Sequence, residues 1–145
     1  MDELDRFYGA IEAESADLRI PQVAASLFQE PRAGYVSLAW EDEQLAGMAA
    51  YSFLWPAVGV TRSLYLKELY VIEAFRRKGI GTLLIQEVCQ IAIMHACSRI
   101  EWTADAGNTL AEAFYERLGA LKSWGKILYR AEGEGIRRLP ESCRK

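Results

Sequence analysis

The chain is 145 residues long, 51% hydrophobic and 26% charged, with a formal net charge of −3. That length suits one domain with a core that needs no disulfide or metal staple, and the composition excludes disorder over any long stretch. So mild a charge leaves no electrostatic footprint for a nucleic-acid partner. The acidic start "MDELDRFYGA" has neither the basic nor the apolar segment of a secretory signal. No apolar run approaches the roughly 18 residues of a membrane span. Cys89, Cys97 and Cys143 lack metal-ligand spacing. An odd cysteine count without an export signal predicts reduced thiols in a cytoplasm, and no metal is expected. Residues 1–45 hold ten acids and three bases, the remainder ten acids and fourteen bases. This asymmetry fits an anionic ligand on the back part, and equally an uneven surface without meaning.

Residues 2–17 predict a helix with Leu4, Phe7, Tyr8 and Ile11 at helical spacing. Pro21 suits the opening of a second short helix through Leu27 or Phe28, and Pro31 and Gly34 punctuate the chain after it. "YVSLAW" (35–40) and "LAGMAAYSFLW" (45–55) flank the polar turn "EDEQ" and predict a β-hairpin. The acids of that turn, Glu41 to Glu43, read as a solvated tip or as a cation-attracting rim. Tyr51, Phe53 and Trp55 share one face of the second strand, as core residues or as the wall of an acceptor site. Residues 63–72 predict a third strand. Residues 79–97 predict a helix with an apolar stripe of Ile80, Leu83, Leu84, Val88 and Ile91. Cys89 and Cys97 fall in it as small core residues, and His95 near its C-terminus, where a cation is favoured. "RIEWTA" (99–104) predicts a strand. "NTLAEAFYERLG" predicts a helix with Thr109 and Glu112 as a capping box and Gly119 as its stop. Residues 120–131 predict a last strand or hairpin arm, and 132–145 a tail. The class is α/β (α+β): a mixed, mainly antiparallel central sheet with helices on both faces, parallel only in the strand–helix–strand unit around 63–104.

The chemistry concentrates in "FRRKGIG", Phe75 to Gly81. Three cations and two glycines stand between an apolar strand and an apolar helix. A helix start exposes unpaired N–H groups and partial positive charge, and glycine lets a ligand approach that backbone. The stretch therefore predicts an anion site, with a phosphate as the natural occupant. The P-loop pattern is absent, and the dinucleotide pattern fails at Leu84, where a third glycine would stand.

Arg76-x-x-Gly79-x-Gly81 after a strand ending "LYV" resembles the acetyl-CoA signature R/Q-x-x-G-x-G/A of the Gcn5-related N-acetyltransferase (GNAT) family. "NTLAEAFYERLGA", Asn108 to Ala120, is similar to that family's downstream element, an asparagine followed by A-x-x-F-Y-x-x-x-G-A. The two segments cover roughly residues 63–131 in the family's order and spacing. "YLKELYV" resembles the diamine (spermidine/spermine-like) branch pattern Y-L-E-D-[LF]-[FY]-V.

The resemblance implies the GNAT fold, acetyl-CoA as co-substrate, and direct attack of a small primary amine on the thioester. It implies one domain over 1–145, with 1–62 on the acceptor side, 63–131 the acetyl-CoA-binding and catalytic core, and 132–145 a C-terminal tail. It implies that backbone amides of Arg77, Lys78, Gly79, Ile80, Gly81 and Thr82 hold the pyrophosphate, assisted by the side chains of Arg76 and Lys78. Backbone groups of Leu69, Tyr70 and Val71 would pair with the pantetheine arm, and Asn108 would bind the cofactor arm or cap its helix. Tyr115 would protonate the departing thiolate, or serve as a half-buried core ring. Glu68, the acid within the third strand, would act as general base through a water, or pair with a neighbouring Arg or Lys. Two departures bear on the acceptor: Lys67 stands where the diamine branch has an acid, and Gly107 where it often has tryptophan. A third is that the first strand of the fold is missing before the first helix, and an uncovered sheet edge predicts a homodimer. Acylation of a protein lysine or N-terminus, and a non-catalytic acyl-CoA-binding domain, stay open as alternatives.

Overall fold

Gly9, at φ +89°, stops the first helix well short of residue 17. The computed structural model describes residues 1–9 and 15–142, so Ile11 lies outside the described residues. Helix α1 spans Asp2–Phe7, with Asp2, Glu3 and Asp5 in the first turn, where acids complement the exposed N–H groups. Helix α2 spans Ala16–Phe28 and contains Pro21. It begins five residues before the proline that was expected to open it. Arg19 joins the two helices by ion pairs to Asp2 and to Asp5, the latter at 2.7 Å.

Four strands follow, β1 (Tyr35–Glu41), β2 (Gln44–Ala57), β3 (Thr61–Val71) and β4 (Cys97–Glu101), in the order β1-β2-β3-β4. The first three pair antiparallel and β4 runs parallel to β3. Helix α3, Ile80–Met94, crosses over between β3 and β4. It ends three residues earlier than expected, where the His95 N–H bonds back to Ile91 and Ala96 turns to φ +52°. Cys97 therefore opens β4 and is not helical. Ile80, Leu84, Val88, Ile91 and Ala92 of α3 close over Ala46, Ala49, Tyr51, Leu64 and Leu66 of the sheet. Leu83, expected in the stripe, is 61% exposed, because the helix is apolar on more than one side and Leu84 and Ala92 fill the buried face.

Small residues let α3 approach the sheet. A Cβ on Gly47 would lie 2.7 Å from the Tyr70 carbonyl oxygen, 3.3 Å from Leu84 and 3.4 Å from Ile80. On the other face α1 packs, with Leu4 buried and the Phe7 ring 6.1 Å from Tyr70. Helices thus cover both faces.

The chain divides into two compact units, Met1–Asn108 and a second from Thr109 onward. Helix α4 spans Thr109–Arg117. Thr109 is its first helical residue instead of its cap, and the Glu112 carboxylate accepts from Lys122 Nζ at 2.9 Å. Gly119, at φ +85°, stops it as expected: the Gly119 N–H bonds to Glu116 and the Ala120 N–H to Tyr115, the paired bonds of a Schellman stop. Residues 120–131 form no strand. A strand needs an edge to bond to, and the described elements of this unit are helices. Leu121, Trp124, Ile127, Leu128 and Tyr129 are exposed. A fifth helix, α5 (Glu134–Ser142), lies where only a tail was expected.

Candidate active site

Strand β3 outruns its neighbour. Its pairing with β4 ends at Tyr65↔Glu101, while β3 continues to Val71. Over Leu66–Val71 the edge that faced β4 has no strand partner among the described residues. The chain then makes a one-turn helix, Glu73–Phe75, and enters the basic-glycine loop.

Two left-handed residues shape that loop, Arg77 at φ +62° and Gly79 at φ +85°. Gly79 is the residue before α3, and its carbonyl accepts the Leu83 N–H at 3.0 Å. The N–H groups of Ile80, Gly81 and Thr82 precede that first helical bond. With those of Arg77, Lys78 and Gly79 they find no backbone acceptor among the described residues. A Cβ on Gly79 would meet nothing within 4 Å, so the backbone there is open to a ligand. The three cations differ. Arg76 Nε donates to the Val71 carbonyl at 2.9 Å, with the guanidinium 5.7 Å from the Tyr70 ring centre. This ties the loop to the end of β3. Lys78 Nζ pairs with Glu41 at 3.0 Å and lies 5.1 Å from the Phe75 ring centre. Arg77 is exposed and has no ion pair among the described residues.

Glu68 reaches its position through a bulge. Tyr51 pairs with Leu66 and Ala50 with Glu68, so Lys67 is an extra residue opposite no partner. The extra residue resets the alternation: Leu64 and Leu66 before it, and Leu69 and Val71 after it, all belong to the core side under α3. A regular strand would put Glu68 on that apolar side with Leu66. The bulge turns it to the α1 face, beside Tyr70. There the Tyr8 hydroxyl donates to both carboxylate oxygens, at 3.1 and 3.0 Å. No Lys or Arg pairs with Glu68 among the described residues. Lys67 is exposed and likewise unpaired. Nearby, the α1 face opens as a cleft lined by Met1–Leu4, Met48, Tyr70 and Ile72.

The three β2 aromatics, read as core residues or as an acceptor wall, part company. Tyr51 is 9% exposed in the core under α3, where burial pushes its phenol up despite a hydrogen bond to Ser37. Phe53 stands 4.7 Å from the His95 ring. Trp55 is 71% exposed. Tyr51 and Phe53 thus turn to α3, away from the Glu68 face. Asn108 directly precedes α4, its N–H bonded to Asp105. Tyr115 lies on α4, its ring edge-on to Phe114 at 5.2 Å.

Two residues of this constellation escaped the sequence. Tyr8 counts there only as part of an apolar stripe, and Glu41 only as part of a turn. Each meets its partner across a separation, 60 and 37 residues, that no local pattern encodes.

An open β3 edge leading into an anion-receptive helix start defines the acyl-CoA N-acyltransferase fold. The family comparison agrees: the model described as "Acetyltransferase (GNAT) family" matches residues 1–120. The chain belongs to the GNAT acetyltransferase family. It is 33% identical over 98 residues to a thialysine N-epsilon-acetyltransferase of Mus musculus, 66% of this chain and 57% of that protein. It is 30% identical over 100 residues to an L-ornithine N5-acetyltransferase of Arabidopsis thaliana, 68% of this chain and 43% of that protein. The matched part is thus about half the length of these relatives. An integron cassette protein from the mobile metagenome of V. cholerae superposes with a TM-score of 0.88 at 34% identity, over 96% of this chain and 86% of its own.

Proposed function

We propose that the protein transfers an acetyl group from acetyl-CoA directly to a primary amine of a small molecule. The observation that carries this reading is the row of N–H groups from Arg77 to Thr82, which have no backbone acceptor among the described residues, at the end of a strand edge that has no partner among them. A pyrophosphate fits that row, with the uncommitted Arg77 side chain beside it and Arg76 bracing the loop. The edge of β3 turned away from β2 at Leu69, Tyr70 and Val71, which has no strand partner among the described residues, would hold the pantetheine arm in the manner of an added strand, with Asn108 beyond it. When bound, acetyl-CoA supplies the activated acetyl group.

The chain's own groups handle the protons. Glu68 takes one from the substrate ammonium, directly or through a water. The Tyr115 phenol, whose ordinary pKa near ~10 is close to that of a thiol, gives one to the departing sulfur. Residues 1–62 form the acceptor side of one functional domain. The names of the thialysine and ornithine relatives support an acceptor of amino-acid size. Lys67, exposed beside Glu68, repels a polycation and argues against a polyamine. The outer edge of β1 has no strand partner among the described residues, and a homodimer would cover it. The site of action is the cytoplasm.

The test is thiol release from acetyl-CoA with a panel of amines. Turnover with a small amine, and a fall of about a hundredfold in kcat for Tyr115→Phe at unchanged coenzyme affinity, are expected. Coenzyme binding without turnover on any amine would leave only a binding domain, and turnover confined to peptides would make it a protein acetyltransferase.

A further inference from the structure

The last turn of α1 is clamped to β3 at two successive positions of one face. Phe7 packs edge-on against Tyr70 at 6.1 Å, and Tyr8 bonds to Glu68. Tyr8 is itself held: its N–H bonds to the Leu4 carbonyl at 3.1 Å, and its ring lies edge-on to Phe7 at 5.3 Å. The hydroxyl reaches both oxygens of Glu68 from this fixed base.

The chemistry of that donor matters. A Lys or Arg partner would orient the carboxylate and cancel its charge. A phenol orients it as a neutral donor and leaves the full negative charge for an approaching ammonium. A carboxylate has about four lone-pair sites, and one shared donor leaves room for a second. We propose that Tyr8 is the positioning residue of the acceptor site: it holds Glu68 toward the amine without neutralising it, so that α1 is part of the catalytic apparatus. The inference rests on the acetyl-transfer reading above, with Glu68 as the base.

The test is a double-mutant cycle on the full chain, read in kcat with an amine that the wild type turns over. Tyr8→Phe keeps the ring and its packing on Phe7, so its melting temperature is expected to stay near that of the wild type. Its kcat is expected to fall about tenfold, the lower range for a hydrogen bond to a charged group, with the KM for acetyl-CoA unchanged. In a Glu68→Gln background the same change is expected to have no further effect, because Tyr8 acts through the carboxylate. Tyr8→Gln, which restores a neutral donor, is expected to recover part of the rate. Equal losses in both backgrounds, or a Tyr8→Phe kcat within twofold of wild type, would overturn the inference and leave the acetyl-transfer reading standing. A wild type without turnover on any amine would instead remove that reading and the inference together.

Discussion

Replacing Gly79 by alanine separates the ligand's demand on the loop from the fold's demand. Gly79 sits at φ +85°, where an L-residue costs about 1–2 kcal/mol. The added Cβ meets no protein atom within 4 Å, so no packing clash adds to that strain. For a chain of this size about 1 kcal/mol corresponds to roughly 3 °C, and Gly79→Ala is expected to lower Tm by about 3–6 °C. With the anion on this backbone, the methyl group would stand in the open space at Gly79 and crowd it. Hydrogen bonds to a charged group contribute about 1.5–3 kcal/mol each, and displacing one would weaken coenzyme A binding about tenfold to a hundredfold. Gly47→Ala is the contrast. Its Cβ would meet the Tyr70 carbonyl at 2.7 Å and the first turns of α3. That overpacking costs about 1–3 kcal/mol in stability and touches no N–H of the loop. Thermal melts and calorimetric titration with coenzyme A, run on both variants, read the two effects apart. An affinity for Gly79→Ala within twofold of wild type, at the expected Tm, would refute the placement of the anion on this backbone.

Arg76→Lys keeps the charge but loses the fork that bonds the Val71 carbonyl and lies on Tyr70; it is expected to weaken coenzyme A severalfold by calorimetry, because the two side chains are not equivalent there. Glu41→Gln frees Lys78 from a half-exposed pair worth at most about 1 kcal/mol. Coenzyme A affinity is expected to rise two- to fivefold at low ionic strength, and the gain to vanish in high salt. Burial pushes the Cys97 thiol up while Arg62 pulls it down, so at mildly alkaline pH less of it is thiolate than in a free thiol. Alkylation followed by intact mass is expected to be slow, and slower still in Arg62→Ala.

The legible parts of the chain were those with a strong local period. The hairpin, β3 and α3 follow from alternation or from an apolar stripe, and the glycine-opened helix start of "FRRKGIG" was legible because loop and helix are contiguous. Glu68 was legible as a candidate but not as an oriented one. The bulge at Lys67 breaks the period of two on which any facing argument depends. Gly9 ended a helix that the apolar spacing carried on, because periodicity registers side chains and not a left-handed backbone. Residues 120–131 carry apolar residues suited to a strand, yet a strand exists only where an edge accepts it. Tyr51 and Phe53 of β2 share a face, as alternation predicts, but alternation does not say which face. Only α3, closing over Tyr51, decides that.

Mass analysis of the products formed from acetyl-CoA and a mixture of small amines tests the central claim most directly. An acetyl group on the nitrogen of a small amine, formed at the rate of thiol release and lost in Glu68→Gln, is the predicted result. Thiol release without an acetylated amine, or an acetylated amine formed equally fast by Glu68→Gln, would contradict it.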